Sequence, residues 1–174
     1  MKTKLFFIGI AALLLASCGQ TVVKSGDLTL KIDGNMHFKV ESSAPGAHKY
    51  FDDYQAADIL IADEAVIEDW KVKKVKKTAD ENGTTYTIIG QWKENGYNSE
   101  KTLTVKTVKG FEGMVLTSSS YANLSDKVLT VKALESNKLR VASDETVWSF
   151  QPTSSARRDD WILPVDESFY QKNY

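Results

Sequence analysis

Residues 28–40 read LTLKIDGNMHFKV and predict two β-strands joined by a tight turn. Apolar side chains occupy every second position up to the Asp-Gly pair, and the alternation resumes at Met36, Phe38 and Val40. Strict alternation is the pattern of a strand with one buried face. Asp-Gly supplies the positive φ that a hairpin turn requires. We therefore expect a β-hairpin in this stretch.

The same pattern of strands and turns continues to residue 147. Asn-Gly pairs follow at Asn82 and Asn95, and residues 85–92 are rich in Thr, Tyr and Ile, which fit a pleated surface. Residues 65–69 are compatible with a short helix, whereas the alternation from Trp70 onward favours a strand. Turn signals about every ten residues predict a β-sandwich or a β-barrel. We expect an all-β, antiparallel β-sandwich.

The first 18 residues have the organisation of a bacterial lipoprotein signal peptide. Lys2 and Lys4 precede an apolar run over residues 5–15, which is too short to span a bilayer. The run ends in Leu-Ala-Ser-Cys, which resembles a lipobox and makes Cys18 the expected lipid-attachment residue. Cys18 is the single cysteine of the chain, so an internal disulfide is excluded. We expect a signal peptide at 1–17, a polar tether at 18–26 and a β-sandwich domain at 27–151.

These features predict a lipid-anchored location in the bacterial cell envelope. No acidic run follows Cys18, which favours an anchor facing the periplasm. The net charge of the whole chain is −1, and removal of Lys2 and Lys4 makes the mature chain more acidic. The charge therefore argues against a nucleic-acid partner. The densest positive run, at residues 71–77, fits the solvated face of an edge strand, with an anionic polysaccharide partner as the alternative.

The last part of the chain, residues 152–174, predicts an extended connector. It follows directly on Trp148 and Phe150, and it contains two prolines, which disfavour helix. Exposed rings in such a segment are expected to contact a neighbouring domain or a sugar. The aromatic residues concerned are Trp148, Phe150, Trp161, Phe169 and Tyr170. Trp92, by contrast, is expected in the sandwich core.

Neither a catalytic set nor a metal site is expected from the motifs. His37 and His48 are the two histidines, and they lack the spacing of metal ligands. Two Asp-Asp pairs begin at Asp52 and Asp159. Retaining glycosidases hold two carboxyl groups roughly 5 Å apart across one bond, and neighbours in an extended chain point to opposite faces. We therefore interpret these pairs as solvated loop charges and expect no cofactor.

The C-terminal order, WSFQ at 148–151, DWILP at 160–164 and FYQKNY at 169–174, resembles a segment of bacterial α-galactosidases of the melibiase type, the family 36-like glycoside hydrolases. In that family the segment links an N-terminal β-sandwich to a catalytic (β/α)₈ barrel. Residues 56–60 also resemble a strand of the front domain, and the resemblance implies a supersandwich-like form of the β-sandwich. The resemblance implies a non-catalytic N-terminal portion that packs on a barrel missing here and shapes its pocket rim. A barrel needs about 250 residues, and none of the family's catalytic aspartates has a matching position.

Two hypotheses about function follow. The resemblance implies part of an exported enzyme of carbohydrate metabolism, inactive by itself, whose partners are the membrane, the barrel and α-galactoside-containing glycans. The alternative is a free-standing carbohydrate-binding or structural lipoprotein, in which Trp148 and Trp161 stack on sugar rings.

Overall fold

The computed structural model describes residues 19–45, 53–63 and 65–136, together with the backbone of residues 13–14, 148–150 and 162–164. Every regular element in this part of the chain is a β-strand, and every strand pair is antiparallel. The all-β, antiparallel prediction is therefore confirmed. The strands are β1 Leu13–Leu14, β2 Thr21–Ser25, β3 Leu28–Ile32, β4 Phe38–Ser42, β5 Ile59–Ala62, β6 Ala65–Ile67, β7 Lys71–Asp80, β8 Gly83–Glu94, β9 Tyr97–Val108, β10 Val115–Asn123, β11 Val131–Glu135, β12 Trp148–Phe150 and β13 Ile162–Pro164.

The largest sheet is a meander of the long strands β7-β8-β9-β10, with the two-residue β1 paired to the outer edge of β7. Its two tightest connections fall on the predicted Asn-Gly pairs. Asn95 and Gly96 both have left-handed φ values, 50° and 81°, as a two-residue hairpin turn requires. At Gly83 a Cβ atom would lie 2.0 Å from the carbonyl oxygen of Thr107, so the turn into β8 accepts only glycine.

Two three-stranded sheets, β2-β3-β4 and β11-β5-β6, contribute the other side of the core. Alternate residues of β8 and β9 are buried, so one face of the large sheet points inward. These inward side chains join apolar residues of both small sheets in one cluster, which gives a sandwich arrangement. The buried apolar residues are Val23, Leu30, Ile32, Met36, Phe38, Ala57, Leu60, Ala62, Ile67, Trp70, Val75, Tyr86, Ile88, Leu103 and Val105.

The predicted hairpin of β3 and β4 is confirmed, but its connection differs from a two-residue turn. Ile32 pairs with Phe38, which leaves a five-residue loop. The Asp33 carboxylate organises this loop by accepting hydrogen bonds from the backbone N–H groups of Asn35 (2.8 Å) and His37 (2.9 Å). Met36 takes a φ of 64° and is 1% exposed. The longer loop therefore turns Met36 into the core.

The β2-β3-β4 sheet begins earlier in the chain than the sequence predicts. β2 lies within residues 18–26, the segment expected to be a tether, and its Val23 is fully buried. Residues 65–69 form no helix, because β6 pairs with β5 there. The polar residues 117–120 lie inside β10.

The end of the chain shows one further pair, in which Trp148 lies opposite Pro164 and Phe150 opposite Ile162. This pairing brings part of the predicted connector back onto the strand that precedes it. Among the described residues no helix is present that could cross a membrane.

Candidate functional site

An open cleft lies where the β8–β9 hairpin meets the β5–β6 turn. It encloses about 450 Å³, within the range of small-molecule sites. The hairpin contributes one wall and the turn contributes the other. The lining residues are Ala62, Asp63, Ala65, Val66, Trp92, Glu94, Asn95, Tyr97 and Leu129.

Two aromatic rings form the apolar part of this cleft. Trp92 lies opposite Ser99 and Tyr97 lies opposite Glu94 in the hairpin register, which puts both rings on the inward face of the sheet. Their centroids are 6.3 Å apart and their planes differ by 25°. Both are partly buried, so they rest on the protein and still border the open space. Stacked aromatic rings of this kind present a broad apolar surface with polar edges.

Polar groups surround the rings. Asp63 lies at the β5–β6 turn with a φ of 46°, and its Oδ2 accepts a hydrogen bond from the backbone N–H of Thr130 at 3.1 Å. Glu94 and Asn95 are exposed at the hairpin end. Carboxylate and amide oxygens are acceptors, and the amide nitrogen is a donor. The cleft therefore combines an aromatic surface with several hydrogen-bonding groups at its rim.

Lys127 contacts the hairpin end next to the cleft. Its Nζ donates a hydrogen bond to the backbone oxygen of Asn95 at 2.9 Å. The same atom lies 5.2 Å from the centroid of the Tyr97 ring, within cation–π range. Lys127 therefore contacts both the turn and the Tyr97 ring at this end of the cleft.

A second polar constellation lies deeper on the same face of the sheet. Asp58 and Lys101 are 5% and 1% exposed, and Lys101 Nζ lies 2.9 Å from Asp58 Oδ2. The same carboxylate accepts hydrogen bonds from the hydroxyls of Ser119 (2.6 Å) and Ser136 (2.9 Å). Lys101 also lies 5.9 Å from the ring centroid of Tyr121. We call Asp58, Lys101, Ser119 and Ser136 the buried network.

Ionisation in the buried network follows from burial and pairing. Burial opposes the charge on Asp58, but hydrogen bonds from Ser119 and Lys101 outweigh it and lower the pKa of Asp58 below its ordinary value. Burial lowers the pKa of Lys101, and the contact with Asp58 offsets part of that shift. Burial, and then the negative charge of Asp58, raise the pKa of the Tyr121 hydroxyl.

The buried network joins strands rather than offering a reactive group. It connects the segment before β5, the middle of β9 and β10, and the residue that follows β11. Its one lysine is enclosed and held by a carboxylate, so it lacks both the access and the free electron pair of a nucleophile. A buried pair whose remaining acceptors are satisfied is costly to break but makes no opening for a ligand. We therefore take the open cleft, and not this network, as the candidate functional site.

The site residues predicted from the sequence fall largely outside the described part of the chain. Cys18, Trp161, Phe169 and Tyr170 lie there. For Trp148 and Phe150 the structure describes only the backbone of β12. Trp92, expected in the core, does pack against the core cluster but also lines the cleft.

The structure describes only part of the histidines and Asp-Asp pairs that the sequence draws attention to. His37 lies beside two carboxylates, with its Nε2 3.0 Å from Asp69 Oδ1 and its Nδ1 3.8 Å from Asp33 Oδ2. His48 and the second acidic pair fall outside the described residues, as does Asp52, while Asp53 is exposed. Within the described part of the chain, no group of three or more His, Cys, Asp or Glu residues could hold a metal ion.

Sequence reasoning missed most of the cleft and all of the buried network. One available signal was the parity of β9, where Tyr97, Ser99 and Lys101 share the face of Leu103 and Val105. A lysine on the apolar side of an alternating strand predicts a buried partner, because an unpaired buried charge is costly. No such signal marks Asp63, since its place beside Trp92 depends on the tertiary fold.

Comparison with known proteins adds no relative. No protein-family model, curated protein or solved structure matches this chain.

Proposed function

We propose that this protein is a non-catalytic carbohydrate-binding β-sandwich domain, and that the cleft beside Trp92 is its sugar site. The observation that carries the proposal is the cleft itself, in which Trp92 and Tyr97 lie together under a rim of hydrogen-bonding groups. The C–H face of a pyranose ring packs on an aromatic face, and its hydroxyls need acceptors and donors around the edge. Asp63, Glu94 and Asn95 supply those groups.

The sequence resemblance supports a particular setting for this activity. The resemblance of residues 148–174 to melibiase-type α-galactosidases would make the domain the front portion of an exported glycoside hydrolase. In that setting the domain packs on the catalytic barrel and shapes its pocket rim, and α-galactoside-containing glycans are the ligands to test first. The isolated chain is then expected to leave an aryl α-galactoside unhydrolysed.

Sugar binding is tested by titrating the protein with simple methyl glycosides, methyl α-galactoside among them. The protein for this test is the mature chain, residues 18–174, with Cys18→Ser. Binding is measured by calorimetry and by tryptophan fluorescence. Tyr97→Ala is expected to weaken binding about tenfold, equal to about 1.4 kcal/mol, because half of the stacking surface is lost. Tyr54→Ala, a change of the same size at a tyrosine outside the cleft, is the control and should bind as the unaltered protein does. Failure of every glycoside to bind, or equal losses in both variants, would refute the proposal.

The location of the domain is a separate proposal that rests on Cys18. If the residues before it are a lipoprotein signal peptide, Cys18→Ala should release the protein from bacterial membranes. It should also abolish labelling by a fatty-acid analogue. An unchanged membrane fraction in that variant would remove the anchor from the account.

A further inference from the structure

A second cleft, on a different part of the sandwich, has the chemistry of an anion site. It encloses about 450 Å³ between the edge strand β2 and one end of the large sheet. Among the described residues, its lining contains two lysines, two threonines, a tyrosine and a valine, and no acidic residue. These residues are Val22, Lys24, Lys77, Thr84, Tyr86 and Thr107.

The two lysines are available to a ligand. Neither Lys24 nor Lys77 forms an ion pair with any residue that the structure describes. Lys77 Nζ lies 5.2 Å from the centroid of the Tyr86 ring, which directs its charge along the wall of the cleft. Thr84 and Thr107 face each other across β8 and β9, and each hydroxyl can donate a hydrogen bond. Two ammonium groups with two hydroxyl donors suit a phosphate group.

Positive charge continues from this cleft around the edge of the sheet. Lys77 pairs with Tyr86 on the inward face, whereas Lys74 and Lys76 pair with Ile89 and Thr87 on the opposite face. The carboxylate of Asp80, at the end of β7, accepts hydrogen bonds from the backbone N–H groups of the next turn. Because the lysines of β7 lie on both faces of this edge strand, they can contact a flat, extended anionic surface. A single pocket cannot make a contact of that extent.

The position of the cleft along the chain indicates which surface that is. Lys24 follows the predicted lipid-attachment residue Cys18 by six positions, a stretch that reaches at most about 21 Å when fully extended. Also, β1 pairs with Lys76 and Lys77, and it belongs to the predicted signal peptide. Removal of residues 1–17 would therefore open the backbone edge of β7 beside the cleft.

We propose that the cleft between Lys24 and Lys77, with the neighbouring lysines of β7, binds the phosphate groups of an anionic lipid surface. The contact would hold the anchored domain against its own membrane in one orientation. Surface lysines next to anionic lipid attract it in this way and lose the attraction as salt is added. The proposal is independent of the open cleft beside Trp92, which lies at the other end of β8.

The test uses the chain 18–174 with Cys18→Ser, which keeps every described core residue but cannot be acylated. Sedimentation with vesicles measures its binding to phosphatidylcholine alone and to phosphatidylcholine mixed with phosphatidylglycerol. We expect binding to the mixed vesicles only. Replacement of Lys24 and Lys77 by glutamine should weaken it about fivefold for each lysine and about 30-fold together. The matched control is Lys93→Gln with Lys132→Gln, the same change of charge on residues outside the cleft.

Three results would overturn the proposal. Equal sedimentation with both kinds of vesicle would remove the lipid phosphate as ligand. Equal losses in the cleft and control variants would show a general charge effect without a site. Stabilisation by inorganic phosphate, lost on Lys24→Gln with Lys77→Gln but without any vesicle binding, would assign the cleft to a soluble anion instead. Sugar titration of the same variants keeps this outcome apart from failure of the proposed function.

Discussion

The open cleft and the buried network both include polar side chains on the inward face of the large sheet, yet they differ in solvent exposure. In the hairpin register Trp92 lies opposite Ser99, and the next inward pair is Gly90 with Lys101. On the network side, the Asp58 carboxylate is 5% exposed and accepts hydrogen bonds from three side chains. On the cleft side, Glu94 and Asn95 are exposed beside a cavity. Satisfied, enclosed polar groups stabilise a fold, whereas polar groups at an open aromatic cavity remain free to meet a ligand.

This difference predicts that substitutions in the two regions have opposite signatures. Changes in the network should alter stability without altering sugar binding, and changes in the cleft should do the reverse.

The largest effect is expected from Asp58→Ala. It leaves Lys101 buried and without its carboxylate, which costs about 3–5 kcal/mol of unfolding free energy. Urea unfolding followed by circular dichroism measures this cost, and Asp126→Ala, at an exposed carboxylate, is the control. Replacement of both partners, Asp58→Leu with Lys101→Met, should recover much of the loss. A single variant as stable as the control would show that the pair carries no structural role.

A smaller loss is expected from Ser119→Ala. It removes the shortest hydrogen bond to Asp58, 2.6 Å, and should cost about 2 kcal/mol because the acceptor is charged. Ser118→Ala, at the adjacent exposed position on the opposite face of β10, should change stability by less than about 0.5 kcal/mol. Equal effects at the two serines would mean that the strand, and not the network, determines the cost.

The unfolding free energy of the protein at low pH should depend on the ionisation of Asp58. Its pKa in the folded state is lower than the ordinary value of 3.8, so the unfolded chain takes up the proton first as the pH falls. The network therefore contributes its full stability above that value and loses it as the pH falls through the folded pKa. Urea unfolding across this range should show the advantage of the unaltered protein over Asp58→Asn shrinking toward acid. An advantage that does not change with pH would contradict the assignment.

The smallest effect on stability is expected in the cleft. Glu94→Gln changes one exposed side chain, so its unfolding free energy should stay within about 0.5 kcal/mol of the unaltered protein. Binding of a methyl glycoside should nevertheless weaken, because the amide is a poorer acceptor than the carboxylate. A stability loss as large as that of Ser119→Ala would place Glu94 in the structure rather than in the site.

Local rules predicted much of the fold, because strands and tight turns are encoded by neighbours in the chain. The alternation in β3 and the Asn95-Gly96 turn are of this kind. The buried network could not be predicted in the same way, since Ser119 and Ser136 lie 61 and 78 positions from Asp58. The cleft has the same origin, because it exists only where the β5–β6 turn meets the β8–β9 hairpin. Trp92 shows the consequence, since its sequence context predicts a core residue and the fold also gives it an open side.

The most direct test of the account is a nuclear magnetic resonance titration of the isotope-labelled chain with a methyl glycoside that binds it. The account predicts shifts at the indole N–H of Trp92 and at the backbone amides of Asn95 and Tyr97. The amide of Lys101 should stay in place. Shifts confined to the indoles of Trp148 and Trp161, with none at Trp92, would contradict the account and move the sugar site to the C-terminal segment.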